Sequence, residues 1–275
     1  MVAQVRRALR VREVGHAGTL DPFATGVLVM AVGEATKLVA YLSADDKAYE
    51  ATVLLGVGTD TLDAQGAVVV RSELPVDALL PSRVERVLEG ERERTTQVPP
   101  QYSAVHHQGE RAYDLARRGE VVELAARSVA VRELRLVGLA PPLVELFLVV
   151  AKGYYVRALA RDLAEGLGTV GHLVKLRRVR SGHFSLSDAV GPNDWTTGVI
   201  PLADGAKRCL PYGILTDDAV RKARFGQLLL PEEVPSEAAG AQAWLDTKGQ
   251  VVAVGERRPD GFGRVLRGFG IPSSR

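Results

Sequence analysis

The chain has 275 residues, 46% hydrophobic and 25% charged, and its 35 basic and 33 acidic side chains leave a net charge of +2. That is apolar material for one large domain, or a medium domain and a small one, and it excludes a disordered or fibrous chain. A single cysteine, Cys209, excludes an intramolecular disulfide, and no apolar run approaches a membrane span, so a cytoplasmic protein with no membrane association is expected.

Val2, Val5 and Leu9 recur at helical spacing, and that helix must end before Gly15. Residues 15–28, G-H-A-G-T-L-D-P-F-A-T-G-V-L, carry three glycines and a proline. Glycine admits positive φ, while Pro22 fixes its own φ and biases Asp21 away from the helical region, so the backbone must turn tightly. The turn presents Asp21 close to His16 and just ahead of an apolar run, 27–32, that fits a buried strand. Taken alone, an Asp-Pro pair is an ordinary turn initiator.

Helical spacing returns over 34–42, and 47–56 alternates as a strand through Tyr49, Ala51, Val53 and Leu55. A polar loop over 58–66 leads to a short strand at 67–70, and Pro81 and Gly90 bracket a helix. Residues 95–124 differ in kind. They open with Q-V-P-P-Q-Y-S-A, pass through His106-His107-Gln108-Gly109 and end in a predicted helix, 111–118, with little core, so the segment is expected to project from the body. Adjacent histidines cannot share a helix face and no cysteine lies near, so no metal site is expected.

Two long strands follow at 128–139 and 143–151. K-G-Y-Y-V-R then runs into an amphipathic helix whose Val156, Leu159, Ala160, Leu163 and Leu167 face inward, with Gly166 and Gly168 stopping it. L-R-R-V-R-S-G-H-F at 176–184 predicts another strand, and the prolines and glycines of 191–212 predict a linker. Beyond it stand a helix at 216–225 and strands at 243–245, 251–254 and 265–269, a small β-rich module. The irregular order of helices and strands predicts an α+β fold rather than a doubly wound sheet. Basic residues gather at Arg6–Arg12, Lys175–Arg180, Arg221–Arg224 and Arg257–Arg267. Such groups either converge on a phosphate backbone or are solvated faces of separate elements.

Five blocks in order, G-H-A-G-T-L-D-P-F-A-T-G-V-L, D-K-A-Y-E, Q-V-P-P-Q-Y-S-A, K-G-Y-Y-V-R-A-L and L-R-R-V-R-S-G, resemble the tRNA pseudouridine synthase B family over residues 6–184. The resemblance implies a catalytic domain over 1–190 built on a mixed, mainly antiparallel sheet with flanking helices and an RNA-gripping insertion at about 97–124. It also implies a linker over 191–212 and a small PUA-like RNA-binding domain over 213–275, the last by length, position and β-rich pattern. The implied activity is isomerisation of the uridine at position 55 in the T-loop of tRNA. The implied partner is the tRNA T-arm, with no metal, no organic cofactor and no obligate protein partner, on a monomer.

The chemistry explains the residue types that the resemblance places. Pseudouridine forms by breaking the N1–C1′ bond, turning the uracil and rejoining it through C5; nothing is oxidised or hydrolysed. By family position the nucleophile is Asp21, attacking either C1′ of the ribose or C6 of the base. A carboxylate in a dry pocket is disfavoured in its charged form, so a cation is required, and Arg157 matches the family arginine that pairs with it. Tyr49 matches a tyrosine that stacks on the uracil and accepts or relays the C5 proton. Tyr155 and Leu176 match positions lining the base pocket, and His16 matches a histidine that enters the space left by the flipped base. One departure stands out: the family begins with a strand bearing K-P-x-G-x-[S/T]-S, whereas this chain opens at Met1-Val2 inside the first helix. The expectation is a start set downstream of the true one and a catalytic sheet short of one member. That would favour a second reading, a non-catalytic tRNA-binding or tRNA-folding protein on the same scaffold.

Overall fold

A computed structural model describes residues 1–120, 122–192 and 194–270. They form a mixed α+β fold of two compact units. The unit made of Leu20–Val27 and Asp45–Ser181 carries the large sheet. Its long strands lie in the order Val131–Ala140, Leu143–Val150, Lys47–Leu55, Gly171–Ser181, all antiparallel, and the two-residue strand Thr25–Gly26 adds in parallel to Gly171–Ser181. The sheet is therefore mixed and mainly antiparallel, as the family resemblance implies.

The strand Lys47–Leu55 occupies a central place, and its alternation explains why. Tyr49, Ala51 and Val53 face one core with Leu146, Leu148 and Leu173, and helices Pro81–Arg92 and Val156–Gly166 close that core with Val84, Leu88, Leu159 and Leu163. Each fully buried leucine contributes about 1.5–3 kcal/mol by leaving water. The expected insertion has its own short elements, Thr96–Gln97 paired with Arg127–Ser128, a hairpin of His106–His107 with Glu110–Arg111, and helix Ala112–Arg117. It also has its own small core of Val105, Ala112 and Leu124.

The second unit comprises residues 1–19, 28–44 and 182 onward. It opens with helix Val2–Leu9 and the antiparallel pair Val14–His16 and Met30–Val32. Its β-rich module runs Tyr212–Ile214, Ala241–Leu245, Val251–Arg257, Gly263–Gly268 around a fully buried Trp244. A side chain at Gly255 would stand 2.3 Å from that indole ring, so only glycine fits there.

Several predicted elements differ. The strand expected over 27–32 is confined to Met30–Val32, because the backbone N–H of Val27 is spent on the carbonyl of Arg178 at 2.8 Å. The helix expected over 34–42 is a 3-10 turn, Gly33–Leu38, continued by one α turn, Val39–Leu42; the Thr36 hydroxyl donates to Gly33 O at 2.7 Å. The first two residues of the expected polar loop, 58 and 59, instead extend a strand, Val57–Thr59, that pairs with Val68–Arg71. The strand expected from 176 already begins at Gly171. The expected linker carries helix Leu202–Cys209, which buries Ala206, and the strand Tyr212–Ile214.

Candidate active site

Asp21 sits at the first position of a four-residue turn closed by Ala24 N–H to Asp21 O at 2.9 Å, with Pro22 second, where its fixed φ suits the turn. Leu20, Phe23 and Ala24 pack against the main core and anchor the turn from beneath. Downstream, Thr25–Gly26 docks on the strand Gly171–Ser181. Gly26 has φ +98°, and a Cβ there would stand 2.2 Å from Arg178 O, so this close approach needs glycine.

Arg157 is the second residue of helix Val156–Gly166 and is only 6% exposed. Its Nε donates to Asp21 Oδ2 at 3.1 Å and its Nη2 to Asp21 Oδ1 at 2.9 Å. This is a two-pronged ion pair across 136 residues of sequence. Nη1 donates to Thr61 O at 3.0 Å and Nη2 also to Tyr102 O at 2.9 Å. One guanidinium thus ties together the Asp21 turn, the loop after residue 59 and the insertion. A cation in the first turn of a helix opposes the helix dipole, and nearby carboxylates offset that cost. The Asp21 side chain remains 28% exposed, so its carboxylate is accessible as well as held.

Asp63 is the residue that sequence reasoning missed. It is 5% exposed, and its Oδ1 accepts from Thr61 Oγ1 at 2.7 Å and from Gln65 N at 3.0 Å. Its Oδ2 lies 3.9 Å from Arg157 Nη1. The available signal was T-D-T-L-D-A-Q-G, in which two threonines and two acids close on a glycine. A side chain at Gly66 would stand 2.3 Å from Thr61 Oγ1, so that glycine lets the loop fold back on itself.

Tyr49 stands opposite Leu148 on one neighbouring strand and Arg178 on the other. Burial pushes its phenol above the usual tyrosine value, the Arg178 guanidinium opposes the shift by charge and hydrogen bond, and the Asp21 charge adds to it. Tyr155, at the N-cap of the Arg157 helix, is half-buried against the insertion's core. Burial raises its phenol too; Arg127 and Arg157 pull it down and Asp21 pushes it up. Leu176 lies in the same buried cluster as Tyr49, opposite Ala51. Asp21, Arg157, Tyr49 and Tyr155 are therefore electrostatic neighbours in one unit, with Leu176 in the core beside Tyr49. His16 belongs to the other unit, exposed at the end of Val14–His16 opposite Met30.

Known proteins resemble this chain over most of its length. The family model described as TruB family pseudouridylate synthase (N terminal domain) matches residues 6–156, and that described as tRNA pseudouridylate synthase B C-terminal domain matches 157–201. Among curated relatives, a tRNA pseudouridine synthase B of Cereibacter sphaeroides is 43% identical over 93% of this chain and 86% of its own length. Another, of Thermobifida fusca, is 40% identical over 94% of this chain and 89% of its own length. A solved Cbf5-Nop10-Gar1 complex contains a chain with the same fold, at a TM-score of 0.69 and 22% identity, covering 93% of this chain and 73% of that one.

Proposed function

This chain belongs to the TruB family of pseudouridylate synthases and isomerises uridine to pseudouridine in tRNA, and from that premise we propose that its target is the uridine at position 55 of the T-loop. The observation that carries the reading is the Asp21 carboxylate, gripped on both oxygens by a buried arginine yet open on one side.

In this reading the target uridine leaves the RNA stack, at a cost of a few kcal/mol, and His16 takes its place there. Asp21 attacks C1′ or C6, and the N1–C1′ bond breaks. The uracil turns, C5 bonds to C1′, and the bond from Asp21 to C1′ or C6 breaks to return the free carboxylate; the proton on C5 leaves and N1 ends protonated, so the product is an isomer. Arg157 orients the attacking carboxylate. Tyr49 stacks on the base and accepts or relays the C5 proton, while Tyr155 and Leu176 line the pocket. The chain's own residues suffice for these steps. Residues 102–118 grip the T-loop, and the basic side chains of the PUA-like module over 213–275 meet tRNA phosphates, which makes affinity fall as salt rises. The protein works as a cytoplasmic monomer without an obligate protein partner.

The test of target choice uses a T-arm stem-loop alone and full tRNA whose T-loop uridine is replaced by cytidine. Conversion of the stem-loop together with no product in the substituted tRNA supports the reading. Pseudouridine formed at another position of the substituted tRNA sinks it.

A further inference from the structure

Arg178 belongs to a basic group that, from sequence, could track a phosphate backbone. It is instead 1% exposed, among the largest fully buried side chains described. Burying a guanidinium is costly unless its donors are satisfied, so an apolar residue would be the cheaper filler for a core position. What Arg178 touches explains its presence. Its Nε donates to Val27 O at 2.7 Å, and its own carbonyl accepts from Val27 N at 2.8 Å. Val27 closes the segment that starts with Asp21, and Gly26 lies directly on the Arg178 backbone. On its other side, Arg178 pairs in register with Tyr49, and its guanidinium donates to the phenolic oxygen.

A guanidinium only donates hydrogen bonds, so the Tyr49 oxygen must accept here and its own O–H proton is directed away from Arg178. An oxygen held this way bears negative charge at lower cost. We infer that Arg178 is a positioning residue of the isomerisation, fixing the Tyr49 hydroxyl relative to the Asp21 turn and holding the charge that develops on that oxygen as a proton moves. The inference rests on the reading of Tyr49 and Asp21 as reacting groups. Nothing in it requires Arg178 to meet RNA.

The test is a double-mutant cycle under single-turnover conditions with full-length tRNA, using Arg178→Lys, Arg178→Gln and Tyr49→Phe. Each Arg178 variant should lose about tenfold or more in rate with tRNA Kd unchanged within about twofold, and the loss should vanish in the Tyr49→Phe background. Weakened binding at an unchanged rate, or an equal loss in both backgrounds, overturns the inference. A Tyr49→Phe enzyme at the wild-type rate would instead remove the underlying role of Tyr49. If Tyr49→Phe has no measurable turnover, the alkaline limb of the rate profile decides: Arg178→Gln should move it to higher pH, and an unmoved limb contradicts the proposal. Should neither Arg178 variant fold, the nitrogen-15 signals of Arg178 in the otherwise native chain should shift on Tyr49→Phe and on tRNA binding. Unmoved signals overturn it.

Discussion

Gln97 clasps Tyr155 by both of its backbone groups: Gln97 Nε2 donates to Tyr155 O at 3.1 Å, and Tyr155 N donates to Gln97 Oε1 at 2.8 Å. A buried side-chain amide therefore completes the backbone at the start of the Arg157 helix, joining the base of the insertion to the residue that caps that helix. Gln97→Leu would leave a donor and an acceptor without partners, at a cost of about 1–3 kcal/mol. Urea unfolding should show the midpoint falling with an unchanged slope; an unmoved midpoint would mean that the clasp contributes nothing.

Arg157→Lys keeps the charge and loses the fork. A lysine cannot bond both oxygens of Asp21 while also reaching Thr61 O and Tyr102 O. Losing two charge-assisted hydrogen bonds at about 1.5 kcal/mol each predicts a rate lower by about a hundredfold. Kd for tRNA should stay put, since Arg157 is buried beneath the Asp21 carboxylate. A matching loss in Kd would place Arg157 in RNA binding instead.

Asp63→Asn removes one negative charge beside Arg157 and keeps an Oδ1 acceptor for Thr61 and Gln65. With Asp63 neutral, Arg157 is shared less and draws more strongly on Asp21, which weakens Asp21 as a nucleophile. Unit charges 4 Å apart interact by about 4 kcal/mol at an effective dielectric of 20, and capturing a third of that in the transition state predicts about a tenfold slower turnover. Single-turnover rates at saturating enzyme measure it; a rate equal to wild type would show that Arg157 does not feel Asp63.

The pairing of Asp21 with Arg157 was legible in advance through the motifs that resemble the family: taken alone, an Asp-Pro pair is an ordinary turn initiator, while an arginine at a helix start opposes the dipole and stands out slightly. Tyr102 does not, because it serves Arg157 through its carbonyl, and every residue has one. Asp63 hid in a segment whose composition says only loop. Arg178 carried a usable signal: two residues after Leu176 it falls on the same strand face as that buried leucine, and period-two alternation predicts its burial despite its charge. The helix Leu202–Cys209 was masked by the prolines and glycines around it, although Leu202, Ala206 and Cys209 recur at helical spacing.

The buried tyrosines predict alkaline behaviour. Burial is the largest cause of the upward shift at Tyr49, Tyr154 and Tyr155. A phenol whose folded pKa lies above its unfolded value favours folding fully below the unfolded value of about 10, and that contribution is lost as pH rises through the folded value. Stability should therefore decline above about pH 10. In a 295 nm titration these three should ionise late and together with unfolding. Smooth ionisation of all seven tyrosines near pH 10 in a folded chain would contradict the burial described here.

The most direct measurement maps pseudouridine in tRNA after incubation with the purified chain and with Asp21→Asn, alongside Kd for both proteins. The wild-type chain should place one pseudouridine in the T-loop, and Asp21→Asn should bind tRNA as tightly and form none. Product from Asp21→Asn, or none from either protein while both bind tRNA, would contradict the assignment of Asp21 as the nucleophile of an active isomerase.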